Sequence, residues 1–87
     1  MEFEYDPNKS ESNKQKHGID FEEAQSLWLD AYRLEIQAKS DDEPRFALIA
    51  ELNKSLWTAF YTIRETRIRL ISVRRSRKSE KELYYES

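Results

Sequence analysis

The chain has 87 residues, a formal net charge of −2, 37% charged and 13% aromatic side chains, and no cysteine. That length points to one domain, 1–87, with a thin core, and the missing cysteines exclude disulfides and thiolate metal ligands, so packing or a partner protein must supply stability. No apolar run approaches a membrane span, and the acidic start Met1-Glu2-Phe3-Glu4 is unlike a basic signal-peptide start, so the expected location is cytoplasmic.

Phe3-Glu4-Tyr5 reads as a short first strand. Asp6-Pro7 is a helix start, because aspartate can cap and proline suits the first helical position. The polar helix expected over Asn8–Lys16 stops at His17-Gly18, where the only glycine in the chain allows a left-handed cap. Asp20 opens a second helix: Glu23 can reach back to the cap, and Ile19 before it can pack on Ala24. Phe21, Ala24, Leu27 and Trp28 recur at helical spacing and mark a core face, which assigns Trp28 to packing rather than to ligand stacking.

After Asp30 the period changes to two. Tyr32, Leu34, Ile36 and Ala38 alternate with Arg33, Glu35 and Gln37, the pattern of a strand with one buried face. Ser40-Asp41-Asp42-Glu43-Pro44 turns the chain and is a solvated turn, since consecutive acids beside a proline lack the alternating ligands of a calcium loop. Phe46, Leu48, Ala50 and Leu52 resume the alternation, Asn53-Lys54 suits a hairpin turn, and Leu56–Ile63 is apolar on both parities, as in a central strand. Beyond Glu65-Thr66, Arg67 and Arg69 share one face of a strand and Ile68 and Leu70 the other, until Ile71 and Val73 break the alternation and hint at a bulge. Ser76–Tyr85, with Ser79 and Glu82 spaced for capping, reads as a short C-terminal helix. The expected fold is α+β, a small antiparallel sheet with N-terminal helices and a C-terminal helix on one side.

Charge is unevenly placed along these elements. Residues 1–30 carry eight acids against three lysines, whereas residues 61–87 carry four acids against eight basic side chains. Thr62–Glu80 alone holds six arginines and a lysine. One histidine and no cysteine remove the usual zinc sites, and no glycine-rich phosphate loop or serine elbow is present, so neither metal nor cofactor is expected. Arg64, Arg74 and Arg75 fall at strand ends bracketing Trp57, Tyr61, Tyr84 and Tyr85, a place suited to holding phosphates and stacking RNA bases. Cleaving RNA without a metal requires removal of the 2′-hydroxyl proton, stabilisation of charge on pentacoordinate phosphorus, and a proton for the departing 5′ oxygen. Arginine serves the second need. The other two fall to His17, Lys16, Glu65 or a tyrosine, although His17 equally suits the dipole of its helix end. For Arg67 and Arg69 a competing reading is cross-strand pairing with acids such as Glu35 and Glu51.

The opening FEYDPNKSESNKQKHGIDFEEA, the motif Glu43-Pro44-Arg45 and the ending IRLISVRRSRKSEKELYY together resemble the BrnT toxins of bacterial type II toxin–antitoxin systems over almost the whole chain. The most specific segments are Asp6-Pro7, Asn13 with Lys16-His17-Gly18, Phe21-Glu22-Glu23-Ala24, Ile68–Ser72 followed by Arg74-Arg75, then Glu80 and Tyr84. Ala50 and Pro44 depart from the family pattern. The resemblance implies a RelE-like fold and a metal-independent endoribonuclease that stops protein synthesis. It also implies a BrnA-type antitoxin partner in a heterotetramer of two toxins and two antitoxins, which reaches operator DNA through the antitoxin's ribbon-helix-helix module. Catalysis would then fall to Arg64, Arg74, Arg75, Tyr84, His17 and Lys16, and RNA binding to Arg67, Arg69, Arg77, Trp57 and Tyr61. Two alternatives stand beside it: a non-catalytic basic module that docks an acidic protein or nucleic acid, and arginines that are merely solvated and internally paired.

Overall fold

A computed structural model describes residues 2–40 and 42–87; Met1 of the acidic start and Asp41 of the expected turn lie outside the described residues. The elements are β1 (Glu2–Glu4), α1 (Pro7–His17), α2 (Phe21–Ala24) continued by a 3₁₀ turn (Gln25–Leu29), β2 (Leu34–Ala38), β3 (Arg45–Leu52), β4 (Ser55–Arg64), β5 (Arg67–Arg75) and α3 (Lys78–Glu86). Local chemistry sets the helix boundaries. Asn8 donates its N–H to Asp6 Oδ1 at 2.9 Å, and Gly18, at φ 82°, donates to the Lys14 carbonyl at 2.9 Å. The Asp20–Glu23 capping box is complete, with bonds of 2.7 and 3.0 Å. The second helix tightens after one turn because Phe21, Ala24 and Leu27, all fully buried, are spaced by three, and 3₁₀ geometry stacks such positions in one line.

The sheet runs β1-β5-β4-β3-β2. Three hairpin-type pairings are antiparallel, but β1 lies parallel to β5, so the sheet is mixed rather than wholly antiparallel. The doubly apolar β4 takes the centre, its hairpin neighbours flank it, and the free edge of β5 is left for the N-terminus. Phe3, in register with Ile68, turns its ring onto Trp28 with centroids 5.0 Å apart, while Glu2 and Glu4 line up with Arg67 and Arg69. The expected bulge is present: Phe60 pairs with Ser72 and Tyr61 with Leu70, which leaves Ile71 over. Both tight hairpins have left-handed residues at their two central positions, Asn53 and Lys54 (φ 53° and 68°) and Glu65 and Thr66 (φ 50° and 75°), the geometry that follows strand twist.

One face of the sheet carries the main core. Leu48, Ala50, Trp57, Ala59, Tyr61, Ile68, Leu70 and Val73 pack against Ile19, Phe21, Ala24, Leu27 and Trp28. Although α1 is polar, it joins this face through two inward side chains one turn apart. Ser10 Oγ accepts the Phe21 N–H at 2.9 Å. Asn13 does more: β1 ends at Glu4, leaving the outer edge of β5 open beyond Arg69, and the Asn13 amide takes the place of a neighbouring strand. Its Nδ2 donates to the carbonyls of Val73 and Ile19, both at 2.8 Å, and its Oδ1 accepts the Val73 N–H at 3.1 Å.

The opposite face presents Thr58, Phe60 and Thr62, and α3 covers one end of it. The C-terminal helix is therefore not on the same side as the others. Glu80 draws it there by accepting from Thr58 Oγ1 at 2.9 Å and from the Arg77 N–H at 2.7 Å. Glu80 is thus the reaching-back residue of the helix start, two residues before the Ser79–Glu82 spacing would place it. Among the described residues no helix is long and apolar enough to cross a membrane.

Candidate nucleic-acid interface

The arginines expected to act together are divided by the register of β4 and β5. Arg64 stands opposite Arg67 at the hairpin tip, while Arg74 stands opposite Thr58 and Arg75 opposite Trp57 at the other end. Six residue steps of ~3.3 Å separate Thr58 from Arg64, so Arg64 and Arg74 are ~20 Å apart along the strand and cannot grip one phosphate.

Most of these guanidiniums face carboxylates. Arg64 Nη2 lies 3.1 Å from Glu43 Oε1, and both side chains are well exposed, so a phosphate can compete for the arginine. Arg67 lies 3.7 Å from Glu2 and 3.9 Å from Glu4, and Arg69 Nη1 is 3.0 Å from Glu4 Oε2. These are cross-strand pairs, but with the acids of β1 rather than with Glu35 and Glu51. Glu35 is on the other face, where Tyr61 donates its hydroxyl to it at 2.6 Å.

Arg74 forms a two-pronged pair with Glu80, both bonds 2.8 Å, and lies 5.1 Å over the Phe60 ring. Arg74's hydrogen bonds, with help from the Arg77 N–H and Thr58 and against the opposing effect of burial, hold the Glu80 carboxyl down at about 2. Arg74 also donates to the Arg75 carbonyl at 3.1 Å, so this guanidinium clasps α3 to the sheet. Tyr84 donates its hydroxyl to Asp30 Oδ2 at 2.6 Å, and burial followed by that carboxylate raises it far above the ordinary tyrosine value. It serves as a tie between α3 and the loop after the 3₁₀ turn. Tyr61, only 1% exposed, and Trp57, at 7%, are packing groups and present no open ring on which a base can stack.

What does gather is a basic group where β5 ends beside the β3–β4 turn. The Arg75 guanidinium carbon lies 5.0 Å over the Trp57 ring, and no carboxylate among the described residues comes within ion-pairing distance of it. Arg75 lines two adjoining concavities. One, of about 430 Å³, is shared with Gly18, Ile19, Glu23, Ser26 and Trp57. Glu23 is already neutralised there by Lys14 at 2.8 Å. The other, of about 210 Å³, is shared with Lys54, Ser55, Leu56, Lys81 and Tyr85. Lys54 and Lys81 likewise have no carboxylate in ion-pairing reach among the described residues, and Tyr85 is 71% exposed, an aromatic ring open to water.

Lys16 and His17 are exposed at the end of α1 and are followed in the chain by Gly18, which lines the larger concavity, although neither lines it itself. Arg77, exposed, caps α3 nearby in the chain. Lys54 and Lys81 escaped the sequence reading, which had Tyr85 in its aromatic patch, because the meeting of the three depends on the pairing of Trp57 with Arg75 and on the placement of α3. A partial signal existed in Lys81 and Tyr85, which are four apart and share a helix face. Among the described residues, no three histidine, aspartate or glutamate side chains gather as metal ligands.

A family model described as ribonuclease toxin, BrnT, of type II toxin-antitoxin system matches residues 5–80. Comparison with curated proteins gives no match. Because the matched span covers most of the chain, including Arg75 and the whole lining of the larger concavity though not Lys81 and Tyr85 of the smaller one, the chain belongs to the BrnT family of type II toxin–antitoxin systems, ribonuclease toxins paired with an antitoxin protein.

Proposed function

We propose that RNA is cleaved at Arg75, with Lys54 and Lys81 as neighbouring phosphate contacts, Tyr85 as the platform for one base, and Lys16 and His17 as the proton-transfer groups. The observation that carries this reading is the state of Arg75. It is braced over Trp57 and free of carboxylates among the described residues, whereas Arg64, Arg67, Arg69 and Arg74 all face acids. A braced cation need not reorganise as charge develops, which is where electrostatic catalysis gains most.

In the reaction, a base removes the 2′-hydroxyl proton and the 2′ oxygen attacks the adjacent phosphorus in line. Charge builds on the two non-bridging oxygens, which match the planar donor fork of Arg75. Collapse expels the 5′ oxygen, which takes a proton from the second transfer group, and leaves a 2′,3′-cyclic phosphate. Every proton and charge is handled by side chains, so the reaction proceeds without a metal ion. The 2′-hydroxyl requirement excludes DNA as substrate, and stacking on Tyr85 favours an unpaired base. Arg64, Arg67 and Arg69 lie too far along the sheet to reach the same phosphate and would guide flanking backbone. The family resemblance supports a BrnA-type antitoxin, a two-plus-two assembly, operator contact through the antitoxin, and a cytoplasmic toxin whose RNA cleavage halts protein synthesis.

The test is cleavage of a labelled single-stranded RNA by purified toxin in excess chelator. Arg75→Ala should slow cleavage by about 100-fold or more, Arg75→Lys less, and Arg64→Ala only slightly. A folded Arg75→Ala protein that cleaves at the parental rate would place the centre elsewhere. Activity abolished by chelator and restored by magnesium would end the metal-independent mechanism.

A further inference from the structure

Beside the Arg75 group lies a groove of which the cleavage reaction uses Tyr85 alone. Ala31, Tyr32, Arg33 and Leu34 approach Tyr84 and Tyr85 across a space of about 620 Å³ that also touches Glu51 and Ser87. Tyr32 is 78% exposed and Tyr85 71%, large rings to leave in water on so small a domain. Two further exposed apolar side chains, Leu29 and Leu83, lie within two residues of the groove along the chain. The groove opens at the start of β2, which among the described residues pairs only with β3 and so has an unpaired outer edge. Arg33 and Glu51 balance one another, so the groove offers no net charge to a phosphate backbone. Tyr85 is common to this groove and to the concavity of Arg75, Lys54 and Lys81, which makes the apolar and basic surfaces continuous.

We infer that one segment of the antitoxin occupies both surfaces, apolar where it seats between Tyr32 and Tyr85 and acidic where it reaches Arg75, Lys54 and Lys81. This rests on the reading of Arg75 as the RNA phosphate site. The occupant follows from the chemistry. A type II toxin has a protein partner, the cations at this end lack carboxylates among the described residues, and the neutral groove suits an apolar anchor. Such a segment blocks RNA with its carboxylates and draws its selectivity from the Tyr32 side of the groove, which RNA cleavage does not need.

The experiment compares Tyr32→Ala and Arg75→Ala with the parent, reading antitoxin affinity by calorimetry with the purified antitoxin of the same toxin–antitoxin pair and, separately, RNA cleavage. Tyr32→Ala should weaken antitoxin binding by about tenfold or more while RNA cleavage stays at the parental rate. Arg75→Ala should lose both. Hydrogen exchange on the complex should show protection at residues 31–34 and 84–87. Undiminished antitoxin affinity of Tyr32→Ala, or protection confined to β1 and α1, overturns the inference. So does a Tyr32→Ala protein that loses cleavage but keeps the antitoxin, since the groove is then an RNA surface. If Arg75→Ala still cleaves RNA but loses the antitoxin, the interface stands and it is the assignment of the cleavage centre that fails.

Discussion

Replacing Asn13 by alanine removes three hydrogen bonds at once, to the Val73 N–H, the Val73 carbonyl and the Ile19 carbonyl. Asn13 is 6% exposed and Val73 fully buried, so the orphaned strand groups lose their partner where water enters poorly. A buried donor or acceptor left unmade costs about 1–3 kcal/mol, and partial rehydration of the space left behind offsets some of the total, which gives a loss of about 3 kcal/mol. For a domain whose whole stability is about 5–15 kcal/mol, that is a large share and lowers Tm by on the order of 15 °C. The assay is urea unfolding followed by the fluorescence of Trp28 and Trp57, both in the core. The midpoint should fall with the slope unchanged. Asn13→Asp should be at least as damaging, because it keeps the acceptor for Val73 but sets a carboxylate against two carbonyls. A loss under about 0.5 kcal/mol, the range of an ordinary surface change, would refute the view that this amide completes the edge of β5 and fastens α1.

Glu80 should make the fold acid-sensitive. Its carboxyl is lowered from 4.5 to about 2, chiefly by Arg74, so its contribution is complete above the unfolded value and disappears as pH falls toward 2. The size is on the order of 3 kcal/mol, and Glu80→Gln should flatten the acid limb of a plot of urea midpoint against pH between about 5 and 2. An unchanged limb would assign acid unfolding to other carboxylates. Thr66 is a β-branched residue at φ 75°, and Thr66→Gly should raise stability by about 1 kcal/mol in a thermal melt. A fall would mean that its side chain supports the hairpin.

The residues that carry the family resemblance are for the most part architectural. Gly18 caps α1, Asn13 stands in for a missing strand, Glu80 clasps α3, and Tyr84 ties that helix to Asp30. Among Arg69, Arg74 and Arg75 on β5, Arg75 is the one whose guanidinium has no carboxylate in ion-pairing reach among the described residues. Its neighbour Arg74, identical in type, is drawn to the opposite face of the sheet and committed to Glu80, since adjacent strand residues point to opposite sides.

The local elements were readable from the chain alone. Asp6, Gly18 and the Asp20–Glu23 box act within four residues, the alternation in β2 follows from a two-residue period, and the break at Ile71 marks the bulge, whereas β3, expected to alternate, buries residues 47–50 without a break because both faces of the sheet are covered there. The tertiary structure decided which charges meet. Arg69 and Glu4 are 65 residues apart and Asn13 and Val73 60, so those pairings depend on β1 lying beside β5 and on α1 lying across its open edge. The same holds for the face chosen by α3 and for the meeting of Lys54, Lys81 and Tyr85 around Arg75. A hydrogen-bonded cap or a pleat is specified by neighbours in sequence. An ion pair between distant side chains is specified only once the strands have taken their order.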